Sequence, residues 1–215
     1  MRVKAPDLIP RQRQDAKKLK RKADWYERVM IKHPARSLFH SLAELYHAAL
    51  LEANTEVISY VPQPYSLLIG SRRYLPDCFV LKNDERIVIE LKPRGEMDSE
   101  LEIPLQQFFK SKGMRFLVVP NEWALEQSLK AENWLTILSV LVFGKLYETA
   151  DQEARLLDRF FLQPQLNVGD VIDPGNRLDC FYEELALFRL IHQGHLVANL
   201  DSSPLDYDTE ISLCM

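Results

Sequence analysis

Tyr74-Leu75-Pro76-Asp77-Cys78-Phe79-Val80, a polar turn at Asn83-Asp84-Glu85, and Arg86-Ile87-Val88-Ile89-Glu90-Leu91-Lys92-Pro93 read as two short strands around a turn, a hairpin rich in Val, Ile and Phe. Side chains alternate along a strand, so Glu90 and Lys92 project to one face while Ile89 and Leu91 take the other. The unbroken apolar run Ile87-Val88-Ile89 is what a strand covered on both faces carries. Charges in that setting are costly to bury unless they pair or hold a metal. Asp77, directly after Pro76, lies one strand earlier and within reach across the hairpin. Two carboxylates and an amine are therefore expected to converge.

Such a trio suits metal-assisted phosphodiester hydrolysis. Acidic oxygens bind a hard cation such as magnesium, the cation lowers the pKa of a bound water, and a lysine stabilises charge developing on the phosphate. Pro76-Asp77 followed by Glu90-Leu91-Lys92 resembles the PD…(D/E)xK signature of restriction-endonuclease-like nucleases. The pattern is short, and a solvated surface hairpin is the plain alternative. The apolar setting and a helix upstream favour the nuclease.

With 215 residues, 47% hydrophobic and 27% charged, the chain has the balance of a globular protein and room for one large or two small domains. The longest apolar stretch, Trp134-Leu135-Thr136-Ile137-Leu138-Ser139-Val140-Leu141-Val142-Phe143, is too short to span a bilayer and predicts a core helix. No apolar segment follows the charged opening Met1-Arg2-Val3-Lys4, so neither a signal peptide nor a membrane partner is expected. Cys78, Cys180 and Cys214 are odd in number and scattered, which argues against a disulfide framework or a zinc site and suits a reducing, cytoplasmic location.

Charge is unevenly spread. Residues 1–36 hold 12 of the 27 Lys and Arg against four acids, a net of +8, and the remainder carries −12. A basic arm over 1–34, centred on Lys17, Lys18, Lys20, Arg21 and Lys22, is the expected contact for a polyanion, the alternative being a solvated tail.

Between residues 35 and 54, Leu38, Leu42, Leu45, Tyr46, Ala49 and Leu50 recur at helical spacing behind Pro34, which predicts an amphipathic helix. Glu44 borders its apolar stripe and is either a site residue or a surface glutamate. His40, Glu44 and His47 share a helical face in the manner of a zinc site, although no further nitrogen or sulfur ligand stands nearby. Residues 56–70 read as one bent strand, with Pro62 and Pro64 limiting its pairing.

Together these segments sharpen the resemblance. Ser41-Leu42-Ala43-Glu44 on a helix, Val61-Pro62-Gln63-Pro64 ending a strand, Tyr74 to Asp77, and Glu90-Leu91-Lys92-Pro93 are similar to the ordered motifs of the TnsA family, over roughly residues 35–120. TnsA proteins are the endonuclease subunits of heteromeric cut-and-paste transposons of bacteria, some of them CRISPR-associated. The resemblance implies an α/β protein with a restriction-endonuclease-like core of mixed sheet and flanking helices. It implies cleavage of the 5′, non-transferred-strand ends of transposon DNA, beside a TnsB-like transposase that cuts the 3′ ends and a TnsC-like AAA+ regulator. It assigns Glu44, Asp77, Glu90 and Lys92 to catalysis. Magnesium, or manganese in its place, would be held by Asp77, Glu90 and the Leu91 backbone carbonyl, with Glu44 serving a second ion. Some members carry Gln where this chain has Glu90, and the acid here is the general superfamily form, which favours activity.

A helix over 99–112 and a buried strand at 114–119 complete a helix, three strands, helix, strand order matching the superfamily's minimal core. Gln106 and Gln107 are read as solvent-facing, with water or phosphate positioning as the alternative. The nuclease domain is thus expected over 35–122, and a smaller helical domain over 123–215. In the latter, Leu196 to Leu200 and Ile211 to Leu213 predict two wing strands after a helix ending at Gly194, a winged-helix-like order. Asp179, Glu183 and Glu184 make that last helix a poor phosphate binder, the resemblance implies a contact with the TnsB-like or TnsC-like partner there instead, and structural filler around the nuclease core is an equal alternative. A resolvase or restriction-type nuclease of the same superfamily, or a non-catalytic assembly adaptor, are the competing readings.

Overall fold

The computed structural model describes residues 3–12 and 24–214, and the chain forms two compact units, Met1–Glu126 and Gln127–Met215. Both mix helices with sheet. The first contains, in chain order, β1 (Val3–Lys4), β2 (Tyr26–Val29), β3 (Arg36–Phe39), α1 (Leu42–Ala53), β4 (Val57–Pro62), β5 (Leu67–Ile69), β6 (Arg72–Tyr74), β7 (Cys78–Lys82), β8 (Glu85–Lys92), α2 (Ser99–Lys110), β9 (Arg115–Pro120) and α3 (Asn121–Leu125).

Its central sheet runs β4-β7-β8-β9, with β4, β7 and β8 an antiparallel meander and β9 parallel to β8. Two parallel neighbours cannot be joined by a tight turn, and the crossover is supplied by α2. The β7–β8 turn places Asn83 at φ 49°, a conformation its short polar side chain tolerates. Ile87 through Leu91 are all buried, as an apolar run covered on both faces requires. Phe79, Val88 and Phe116 sit in register across three strands, where Leu105 and Phe109 of α2 and Tyr65 close a core around them.

Three expectations need correction. The helix predicted from residue 35 begins at Leu42, because Arg36–Phe39 pairs antiparallel with Tyr26–Val29 and buries Ser37 and Phe39 on alternate positions. Ser41 is the helix N-cap, extended at φ −156°, with its Oγ accepting from Glu44 N at 3.2 Å. The single strand predicted over 56–70 breaks at Gln63, whose φ of 40° turns the chain out of the central sheet. β5 instead pairs with β6 and β1 in a separate three-stranded sheet. Tyr74 accordingly ends β6 rather than opening the hairpin strand, and Leu75 to Asp77 link β6 to β7. Of the segment read as an arm, Val3–Lys4 belongs to that second sheet, while Lys17, Lys18, Lys20, Arg21 and Lys22 lie outside the described residues.

The second unit comprises α4 (Ser128–Phe143), α5 (Ala150–Leu162), β10 (Gln165–Asn167), α6 (Val168–Val171), α7 (Phe181–Gln193), β11 (Leu196–Ala198) and β12 (Glu210–Leu213). The apolar stretch from Trp134 lies in α4 with Trp134, Ile137, Leu138 and Leu141 buried, and no helix of the described residues is long and apolar enough to cross a membrane. Gly194, at φ 81°, ends α7 with its N–H on the last carbonyls. β11 and β12 pair antiparallel, and β10, a strand too short to signal itself in the sequence, adds to β12 to give the order β10-β12-β11. Buried Asn133 ties the β11–β12 connection down: Nδ2 donates to the Leu200 and Ser203 carbonyls at 2.9 and 2.8 Å, and Oδ1 accepts from Leu205 N at 2.8 Å. Cys78, Cys180 and Cys214 are all free thiols.

Candidate functional site

Asp77 follows the β6–β7 link directly, and its backbone is pinned by Gln63 N, which donates to the Asp77 carbonyl at 2.9 Å just past the Pro62–Cys78 pair. Its carboxylate then crosses to β8, where Oδ2 accepts from Leu91 N at 2.7 Å. That bond seats Asp77 beside Leu91, between the alternating positions Glu90 and Lys92, and leaves Oδ1 as its oxygen for a ligand. Glu90 is 2% exposed. Lys92 Nζ donates to its Oε1 at 2.5 Å, joining the pair that strand alternation put on one face. Oε2 of Glu90 is buried as well. The Tyr74 hydroxyl is buried against the same carboxylate, and burial first, then the Glu90 charge and a hydrogen bond to it, push its phenol up.

Glu44 enters from α1. Oε2 accepts from His40 N at 3.1 Å and from Gln63 Nε2 at 2.8 Å. Burial lifts its carboxyl to about 7 against the opposing pull of the His40 and Ser41 hydrogen bonds, and Glu90 adds to the rise. Asp77 is raised well above the ordinary carboxylate range, by burial first and then by Glu90 and Glu44. Lys92 loses through burial and gains more from Glu90, Asp77 and Glu44, so its ammonium is held upward. The Glu90 charge thus bears on both Glu44 and Asp77, and Lys92 only partly offsets it. A cavity of about 10 Å³, room for a single water-sized occupant, lies beside Glu44 and Asp77 with largely apolar walls that include Phe39, Ala48, Pro62 and Leu91, and Glu90 does not line it.

These features fit a hard cation. Two buried carboxyls raised above their ordinary range, Glu44 and Asp77, with the buried Glu90 carboxylate between them and Lys92, are what a positive charge would relieve. Among the described residues no three His, Cys, Asp or Glu side chains converge into a ready-made cage. Magnesium does not need one, since it binds through one or two carboxylates and keeps most of its waters.

The structure thus brings Glu44, Asp77, Glu90, Leu91 and Lys92 into one electrostatic neighbourhood. It separates the histidines that resembled a zinc set. The His40 ring lies against Trp25 with centroids 4.8 Å apart, and the buried His47 ring meets Trp123 edge-on at 6.0 Å. Burial drives His47 down to about 4, so it stays neutral at neutral pH. Gln106 is exposed and donates to Glu102 at 2.8 Å, and Gln107 is exposed too, as their solvent-facing reading has it.

Two residues escaped the sequence. Gln63 served only as a motif letter, yet it touches both Glu44 and Asp77. Glu52, fully buried two turns along α1 from Glu44, accepts from Ile31 N at 3.1 Å, Lys32 N at 2.9 Å and Tyr60 Oη at 3.1 Å. It anchors the segment ahead of β3, and its partners account for its burial. No periodicity in the sequence distinguishes it from Glu44. The chain matches no protein-family model and no curated protein.

Proposed function

We propose that this chain is a metal-dependent DNA endonuclease of restriction-endonuclease-like architecture, acting as the TnsA-like subunit of a cut-and-paste transposase. The observation that carries the reading is the convergence of the Glu44, Asp77 and Glu90 carboxylates with the Lys92 ammonium, Asp77 being fixed on Leu91 N. The sheet order β4-β7-β8-β9, entered from α1 and crossed by α2, supports the core assignment. In the second unit the succession α5, β10, α6, α7, β11, β12, with sheet order β10-β12-β11, supports a winged helix.

In this reading Asp77, Glu90 and the Leu91 carbonyl would hold magnesium or manganese, with Glu44 available to a second ion. A cation bound there activates a water and offsets charge on the scissile phosphate. Lys92, already drawn toward the acids, stabilises the negative charge that builds as the phosphodiester is attacked. Asp77 is kept in place by Leu91 N, so its free oxygen needs no reorientation when substrate arrives.

Transposon-end DNA is the proposed substrate, with a TnsB-like transposase and a TnsC-like regulator as partners. The second unit suits a protein contact better than DNA. Phe143, Tyr147, Phe181 and Tyr182 cluster edge-on there, Phe143 being 70% exposed and the adjoining Leu146 84%, next to Glu148, Asp179 and Glu183. The test is strand-specific cleavage of end-bearing DNA by the purified chain across a magnesium titration, with and without the transposase. Cutting of the 5′ strand that needs the transposase supports the TnsA-like role. Partner-independent cutting points to a resolvase or restriction-type enzyme, and no cutting under any magnesium concentration leaves an assembly adaptor.

A further inference from the structure

We infer that Gln63 is a positioning residue that sets the orientation of Glu44 and its spacing from Asp77, an inference that rests on the nuclease reading of the site. Gln63 is 3% exposed and holds φ at 40°, a conformation residues with side chains rarely adopt and one that concentrates at functional sites. Its backbone N–H grips the Asp77 carbonyl and its side-chain Nε2 grips Glu44 Oε2, so one residue holds both acids that border the small cavity.

The amide cannot turn around. The Leu38 carbonyl only accepts, so Gln12 must present Nε2 to it, at 2.8 Å. The same nitrogen then donates to Gln63 Oε1 at 2.9 Å, which leaves Gln63 Nε2 facing Glu44. A one-way relay runs from a backbone carbonyl through two amides to the carboxylate. With Gln63 and His40 N both donating to Oε2, and Ser41 Oγ reaching Oε1 only at 3.5 Å, the carboxylate is held in one orientation with Oε1 the more weakly bonded oxygen.

A double-mutant cycle on the full chain tests this. Magnesium affinity is measured by titration calorimetry, and the magnesium needed for half-maximal cutting is measured alongside. Gln63→Met, which cannot donate, is expected to weaken magnesium binding about tenfold, as loss of a hydrogen bond to a charged group implies, and to leave the KM for DNA unchanged. In a Glu44→Gln background the same change is expected to matter less than twofold, since a residue acting through Glu44 has nothing left to act on. Gln63→Asn tolerates the backbone conformation but falls one methylene short, and it carries the test should Gln63→Met not fold. An equal effect in both backgrounds, or none in either, overturns the inference. A wild-type protein that neither binds magnesium nor cuts brings down the nuclease reading and this inference with it, whereas a competent wild type with neutral Gln63 variants sinks the inference alone.

Discussion

Glu44→Gln tests the electrostatics of the site without any DNA. The Glu44 carboxyl rises from its ordinary 4.5 to about 7 on folding, chiefly through burial. A carboxyl whose folded pKa exceeds its unfolded one holds its proton longer in the native state. The contribution is therefore fully present below about 4.5 and is lost as pH climbs through about 7. A rise of that size corresponds to about 3 kcal/mol of stability lost by pH 8 in the metal-free protein. The amide carries no charge to bury, but it gives up charge-assisted bonds from His40 N and Gln63 Nε2, so about 1–2 kcal/mol should be recovered. Urea unfolding in a chelator, repeated from pH 4.5 to 8.5, is the assay. The variant should match wild type at the acid end and exceed it at pH 8. Asp77 is raised too, so some slope should survive the substitution. Magnesium should narrow the gap, because occupancy at a hundred times the dissociation constant stabilises the native state by about 2.7 kcal/mol. Wild-type and variant curves that run parallel across the whole range would refute the idea that Glu44 is a strained, buried acid.

Asp77→Asn keeps an oxygen for Leu91 N while removing the charge, so 5′-strand cutting and magnesium-induced stabilisation should both vanish while the melting temperature in chelator is not lowered and rises at pH 8; a wild-type nicking rate on supercoiled donor DNA rules the assignment out. In whole-element assays the same variant should divert simple insertions into cointegrates. Lys92→Met strips Glu90 of its counter-charge and should destabilise the metal-free protein by about 1–2 kcal/mol, after allowing for Lys92 being partly exposed, and slow cutting about a hundredfold with magnesium affinity retained. Changing Lys17, Lys18, Lys20, Arg21 and Lys22 to Gln should flatten the slope of log DNA affinity against log salt by about 0.9 for each phosphate no longer neutralised, up to about 4.5. Substitution is preferable to truncation through residue 22, which would also remove Val3–Lys4 from its sheet and Gln12 from Gln63, and an unchanged slope would make the basic run a solvated tail.

The parts of the fold that could be read from sequence were those whose period was unambiguous. Strands Cys78–Lys82 and Glu85–Lys92 show short β-rich runs around a polar turn, and they pair in the expected hairpin. The start of α1 failed because two periods coincide there. Leu38, Leu42 and Leu45 fit a helix, while Ser37 and Phe39 fit the buried side of a strand, and pairing with Tyr26–Val29 decides for the strand. The signal that could have settled it was Ser41-x-x-Glu44, a capping-box spacing that marks a helix beginning at Leu42. Gln63 gave less warning. Nothing in a glutamine announces a positive φ, although the prolines on either side already made a continuous strand awkward.

At the site, the rule that a buried charge needs a reason works unevenly, and the unevenness has a physical origin. It succeeds for Glu90 because its reason is partly local: strand alternation delivers Lys92 to one carboxylate oxygen. It cannot separate Glu44 from Glu52, two acids of one helix that look alike in sequence, because their reasons are long-range. Glu52 is met by two backbone N–H groups and a tyrosine hydroxyl. Glu44 also has three donors, His40 N and Gln63 Nε2 on Oε2 and Ser41 Oγ on Oε1, but the charge beside it is the Glu90 carboxylate where Glu52 has Lys32 and His33, so burial and like charge keep its carboxyl raised. The sign of the neighbouring charge therefore distinguishes an anchoring acid from one that still has use for a cation. By that measure Glu52 belongs to the scaffold, and Glu44, Asp77 and Glu90 belong together.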